Sequence, residues 1–267
     1  MTTPPTAERS DEAIGRLIEE HGARLHALAS RFCADPDEAE DLVQEVFLSA
    51  HKAWDGFRGE SDEKTWLYTI AARACQRMHR KRSGEPAHIG SLHELLPFGE
   101  PLIATIPDDG DDALQRQILA EARERLEAEI TRLPDEYRVP LLLKDIVGFS
   151  VREVAGILGL EEATARSRVH RARLKLRAAV DRVLPRTTEP APPPAYPEQT
   201  CLDLLNAKQE SLDRGVPFDS EVICQRCRSV FASLDLTQRA CRQLARDELP
   251  EGLRERLHER LGIRHRS

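Results

Sequence analysis

The stretch SVREVAGILGLEEATARSRVHRARLKLR, Ser150 to Arg177, decides the fold. Ser150 and Glu153 have the spacing of a capping box, and Val151, Val154, Ala155 and Leu158 follow at helical spacing, which predicts a short amphipathic helix. Gly159 ends it, because glycine tolerates the left-handed backbone of a helix C-terminus. A second helix starts near Glu161 or Glu162 and sets Ala165, Val169, Ala172, Leu176 and Val180 along one face. Two helices joined by a glycine turn make a helix-turn-helix. From Glu162 to Arg182 there are seven Lys or Arg against two acids, in a chain whose formal net charge is −7. That local surplus suits phosphate. Ser167, His170 and Arg171 lie opposite the apolar row, flanked by Thr164, Arg166 and Arg168, and such side chains reach base edges and backbone oxygens in a major groove. A solvated helix of a bundle carries the same stripe, so charge alone leaves both readings open.

Working outward, 4% aromatic and 32% charged residues fit small helical modules and argue against a large sandwich or barrel. No apolar run spans a bilayer, and MTTPPTAERSDE lacks the order of a signal peptide, so a cytoplasmic protein with no membrane partner is expected. The sequence shows neither a nucleophile and base at a recognised spacing nor a Gly-rich phosphate loop, which argues against an enzyme.

Upstream, Ile14, Leu17, Ile18, His21, Leu25, Leu28 and Phe32 trace one face of a helix. Asp35-Pro36-Asp37-Glu38 supplies an N-cap and a first-turn proline for the next. That helix turns Ala39, Leu42, Val43, Val46, Phe47, Ala50 and Trp54 inward and crowds acids on its polar side. A third, Thr65 to Arg82, buries Leu67, Ile70, Ala71, Ala74 and Met78 and ends in a basic run. Its Trp66 and Tyr68, followed by Arg73 and Arg77, suit stacking of unpaired bases beside held phosphates; the alternative is that both aromatics are ordinary core residues. Ser83 to Asp112 holds four prolines, seven acids and no Lys or Arg, and reads as a linker, with Leu92, Leu95, Leu96, Phe98, Leu102 and Ile103 docking somewhere. Helical periodicity resumes at Leu114, Ile118, Ala122, Leu126 and Ile130, and a further helix carries Pro140 either in its first turn or at a kink.

The runs AEDLVQEVF (Ala39 to Phe47), FRGES (Phe57 to Ser61), TWLYTIAAR (Thr65 to Arg73), LPDEYR (Leu133 to Arg138) and SRVHRARLKL (Ser167 to Leu176), in this order, resemble a bacterial RNA polymerase sigma factor of the extracytoplasmic-function type in the sigma-70 family. The resemblance covers roughly Glu12 to Val183. It implies an all-α protein with two small helical domains: a flexible start (1–10), region two (11–83), an acidic linker (84–112) and region four with the helix-turn-helix (113–184). It further implies that Asp41, Leu42, Gln44, Glu45 and Phe47 bind core RNA polymerase. Trp66, Tyr68, Arg73 and Arg77 would hold the melted promoter, and Thr164, Arg166, Ser167, Arg168, His170 and Arg171 would read duplex promoter DNA. No cofactor is implied for that work. Asp62, Glu63 and Lys64 depart from the less acidic residues that members often carry. A stand-alone helix-turn-helix regulator is the other class the motif admits, although the acidic AEDLVQEVF face has no use in one.

After a Pro-rich spacer (185–200), a helical tail (201–267) holds Cys201, a turn LDRG, a helix from about Asp219 containing ICQRC, and Leu249, Leu253, Leu257 and Leu261 at docking spacing. Clustered cysteines in a reducing compartment suggest metal or redox chemistry. The tail resembles a zinc-binding anti-sigma fold, which implies Cys201, Cys224 and Cys227 as zinc ligands, but Ser220 stands where that fold has histidine. The open alternatives are a zinc site, a redox pair, a sensor, or packing cysteines in a tail that contacts the sigma domains in place of a separate anti-sigma factor.

Overall fold

In the computed structural model, which describes residues 9–33, 35–79, 89, 113–182, 184, 193, 195–244 and 248–263, every regular element among those residues is helical and none is a strand. The linker leucines named above lie outside the described residues. The Asp35 carboxylate accepts from the backbone N–H groups of Asp37 and Glu38, at 2.7 and 3.4 Å, and Pro36 opens α2 (Pro36–Ala53) behind α1 (Ser10–Phe32). A 3₁₀ turn, Trp54–Gly56, leads towards α3 (Glu63–His79). Asp62 caps α3, accepting from the backbone of Lys64 and from both the backbone and hydroxyl of Thr65. That is a helix-starting role for one of the acids that depart from the family pattern.

The second bundle is α4 (Ala113–Thr131), α5 (Asp135–Leu141), α6 (Val151–Leu158) and α7 (Glu162–Val180). Pro140 falls inside α5 rather than in its first turn, where it removes a helix hydrogen bond, and the chain widens into a π-helical turn, Leu142–Val147. Gly148, at φ 90°, closes that turn. The capping box forms as predicted: Ser150 Oγ accepts from the Glu153 N–H at 3.2 Å, and Glu153 accepts from the Ser150 N–H at 2.7 Å. Gly159 takes the left-handed conformation, and Ala165, Val169, Ala172, Leu176 and Val180 are all fully buried.

The tail is α8 (Glu198–Arg214), α9 (Gln225–Gln243) and α10 (Glu251–Leu261). Two boundaries differ from expectation. The last residues of the spacer are already helix, and α9 begins at Gln225 instead of near Asp219. Ser220 makes a tight turn, accepting from Ile223 N–H at its carbonyl and from Val222 N–H at its hydroxyl, so the helix starts only at Cys224 as N-cap.

One apolar core runs through all three parts, because α3 packs on α6, α1 on the π turn, α9 on α4 and α7, and α10 on α1 and α2. Phe149 joins the two bundles, edge-on to Tyr68 at 5.1 Å with the Lys64 ammonium 4.2 Å from its ring centre. A second cluster sets Leu174 of α7 against Cys201, Leu205, Leu212, Cys227 and Phe231 of the tail.

Candidate functional site

On α2, Asp41 and Glu45 are exposed, and Glu45 pairs with Arg77 of α3 at 2.5 Å. Leu42 and Phe47 are core residues, 1% and 0% exposed, because they lie on the apolar stripe that packs α2 into its bundle; as direct surface contacts they are corrected to structural ones. Gln44 is buried for another reason: Arg260 of α10 donates to its side-chain oxygen. Beside it Arg256 pairs with Glu40, while Arg254 and His258 reach Glu19 of α1, both at 3.6 Å. The basic face of α10 therefore lies along the acidic face of α2. Its leucines, Leu253 and Leu257, are buried, as are Leu249 before it and Leu261 at its end. The fit depends on glycines of α1. A Cβ on Gly22 would meet Leu249 at 2.9 Å, and one on Gly15 would meet Ile263 at 3.2 Å.

On α3, Arg73 is exposed and Trp66 half-buried against Trp54 and Phe57, at centroid distances of 5.7 and 5.0 Å. Tyr68 is fully buried, and burial pushes its hydroxyl well above the ordinary value. It is a core residue here, not a stacking platform, because Phe149 and His21 cover its ring.

On α7, Thr164 is exposed and Arg166, Ser167, Arg168 and Arg171 are partly so. His170 is the correction: it is 4% exposed, its Nε2 lies 2.8 Å from Asp213 of α8, and its backbone oxygen accepts from Gln209. The basic stripe is also more internal than its count suggests. Arg166 pairs with Glu162, Arg168 with Glu136, Arg182 with Glu129 and Arg177 with Asp181. Arg173, 1% exposed, forms a two-pronged pair with Asp145 at 2.8 and 2.7 Å, then reaches Asp213 at 2.8 Å and Gln209 at 3.3 Å. Planar, doubly bonded pairs of this kind are among the strong charge-assisted contacts. Burial opposes the Arg173 charge, but Asp145 and then Asp213 overcome it and raise its pKa. Burial likewise opposes the Asp213 charge, while the hydrogen bond to His170 and the Arg173 charge bring its pKa below 3.8.

The residue types that join tail to sigma-like bundles, Gly15, Gly22, Gln209, Asp213, Arg256 and Arg260, carry no motif. Only the two glycines inside the apolar helix α1 offered a hint, since glycine there disfavours the helix.

Cys224, Cys227 and Cys201 come together, with the Cys227 thiol hydrogen-bonded to both others. Burial, then its two thiol neighbours, push Cys227 up to about 12. Burial opposes the Cys224 thiolate, yet hydrogen bonds from Cys227 and the Arg226 backbone outweigh it and lower its pKa. Cys241 lies apart, fully buried among apolar residues. Among the described residues no group of three or more His, Cys, Asp or Glu is set to hold a metal ion, and the Ser220 hydroxyl is engaged in its own turn, so a zinc site is not supported. None of the described helices is long and apolar enough to cross a membrane.

The family models for Sigma-70 region 2 and Sigma-70, region 4 match residues 17–85 and 123–176. The RNA polymerase sigma-H factor of Pseudomonas aeruginosa is 31% identical over 185 residues, 66% of this chain and 89% of that protein. The ECF RNA polymerase sigma factor SigM of Mycobacterium tuberculosis is 29% identical over 164 residues, 61% of this chain and 75% of that protein. A solved structure of the sigma factor RpoE with the anti-sigma factor NepR from Bartonella quintana is 27% identical, covers 62% of this chain and 94% of that chain, and superposes with a TM-score of 0.44.

Proposed function

Because the chain belongs to the extracytoplasmic-function sigma factors of the sigma-70 family, we propose that the arrangement described above is its closed state, held by its own C-terminal tail. The protein is not an enzyme: it is a factor that binds core RNA polymerase and directs promoter-specific initiation of transcription, and it needs no cofactor for that work.

In our reading, region two spans 11–83 and region four 113–184, joined by the linker 84–112, with the spacer ending where α8 begins. Asp41 and Glu45, with Gln44 once α10 has left, meet polymerase in the cytoplasm. Arg73, Arg77 and Trp66 hold the melted strand. Thr164, Arg166, Ser167, Arg168 and Arg171 face duplex promoter DNA, and His170 joins them only after α8 moves. Opening a promoter costs a few kcal/mol per flipped base, which polymerase binding supplies.

The observation that carries the closed state is the double cover. The tail lies on the acidic face of α2 through α10, where it covers Gln44, and on α7 through α8, where it covers His170, so the same 60-odd residues (roughly 198–263) touch both functional faces. The spacer keeps the tail near both at high effective concentration, so it takes in cis the place of an anti-sigma factor. Zinc has no part in this reading; the three thiols pack the tail, and Cys224, the most thiolate-prone, is the one open to oxidation.

The test is run-off transcription with core polymerase, comparing the full chain with Leu253→Asp and with Asp213→Ala. Both variants should transcribe more than the parent at equal protein and keep its promoter choice. Equal or lower output from both, with helical content intact, would rule out the closed state.

A further inference from the structure

A cavity of about 490 Å³ lies where the three parts of the chain meet. Its wall carries Arg24 of α1, Lys144 of the π turn, Arg214 at the end of α8 and Arg242 of α9. The carboxylates in the wall, Asp145 and Asp213, are committed elsewhere: Asp145 to Arg173, and Asp213 to Arg173 and His170. None of the four cations forms an ion pair with a described residue. Burial disfavours the Lys144 charge most; Asp145 and Asp213 favour it while Arg173 and Arg242 oppose it, and its pKa is lowered on balance.

Four cations around one space, none of them ion-paired with a described residue, need a reason. The C-terminal ends of the π turn and of α8 both lie in the wall, at Val147–Gly148 and Arg214–Gly215. Each end contributes about half a negative charge. Counting the four cations of the wall and Arg173 against Asp145, Asp213 and these two ends, the cavity keeps a surplus of about two positive charges. A phosphate monoester carries about −1.5 to −2 at neutral pH, with three strong acceptor oxygens. The volume falls in the range of small-ligand sites, about 300 to 1,000 Å³.

We propose that this cavity binds a phosphate-bearing small molecule, up to nucleotide size, and that the ligand locks the closed state. Arg24 belongs to region two, Lys144 to region four, and Arg214 and Arg242 to the tail. Only the closed arrangement brings all four together. A ligand that contacts three parts in one state and at most one or two in the other shifts the population towards the first, by its differential affinity. This coupling rests on the closed-state reading above, whereas binding itself does not.

Isothermal titration and thermal shift of the full chain, without polymerase or promoter, use inorganic phosphate and adenosine triphosphate as probes, with sodium chloride at matched ionic strength. Binding should appear for the phosphates and not for chloride. It should weaken at least tenfold in Lys144→Gln/Arg242→Gln and in Arg24→Gln/Arg214→Gln, and persist in Lys175→Gln, an exposed cation of α7. Run-off transcription by the parent should fall as the bound probe rises. Equal stabilisation by chloride, or unchanged affinity in both double variants, overturns the site. Short duplex DNA binding through the same four residues, with neither probe bound, also overturns it and makes them promoter contacts. Binding that leaves transcription unchanged overturns the lock while the site stands.

Discussion

The tail docks twice, and the two docks are built differently. Against α7, the contact is dry: Arg173, Asp145 and Asp213 are each under a tenth exposed at their side chains and satisfy one another. Against α1 and α2, the apolar row of α10 is buried but its ion pairs stay wet, with Arg256 and Glu40 at 46% and 31% exposed. Breaking a buried pair leaves a stranded charge, while an exposed pair exchanges its partner for water at little cost. The tail is therefore held more firmly at α7 than at α2, and in the closed state proposed above polymerase, which would contact α2, meets the weaker dock.

Truncating the buried side should have the largest effect. Asp213→Ala strands His170 and part of the Arg173 charge and is expected to cost about 4 kcal/mol in urea unfolding of the full chain. A cost below that of the α10 variants would invert the comparison. The same carboxylate makes the α7 dock acid-sensitive. Its pKa is below 3.8 in the folded chain, so its contribution is fully present above the ordinary value and is lost as the pH falls through the lower folded one. Asp213→Asn should flatten that part of the acid-unfolding curve, and an unchanged curve would remove Asp213 from the account. Leu253→Ala, at a fully buried position of α10, is expected to cost about 3 kcal/mol and to raise polymerase affinity with little change at α7 by hydrogen exchange. The smallest effect belongs to Arg256→Ala, about 0.5 kcal/mol, vanishing at high salt. A large, salt-independent loss would show that the α2 dock is held by charge rather than by leucine.

The helix-turn-helix and the start of α2 were legible because their signals are local: a serine three residues before a glutamate, a glycine at a left-handed position, a proline in a first turn. α9 begins later than the helix expected from about Asp219, because the Ser220 hydroxyl closes a turn and the cap is a cysteine. Tyr68 is readable either as a stacking platform or as core, and His170 looks like a surface residue of its own helix. Their partners, Phe149 and Asp213, lie 81 and 43 positions away, and no periodicity within one helix reports a contact at that distance. Leu42 and Phe47 show the opposite case: their helical spacing placed them inside, and the family resemblance assigned them to a surface.

Gly15 and Gly22 give the tail its seat on α1, and they leave something behind when it goes. A glycine within a helix costs about 1 kcal/mol relative to alanine, so α1 carries two soft points that Ile263 and Leu249 cover. The tail thus acts as a splint as well as a cover. In the open state proposed above, the first helix of region two would stand in water with its weak points bare, and its middle turns should exchange amide hydrogens faster than in the closed one.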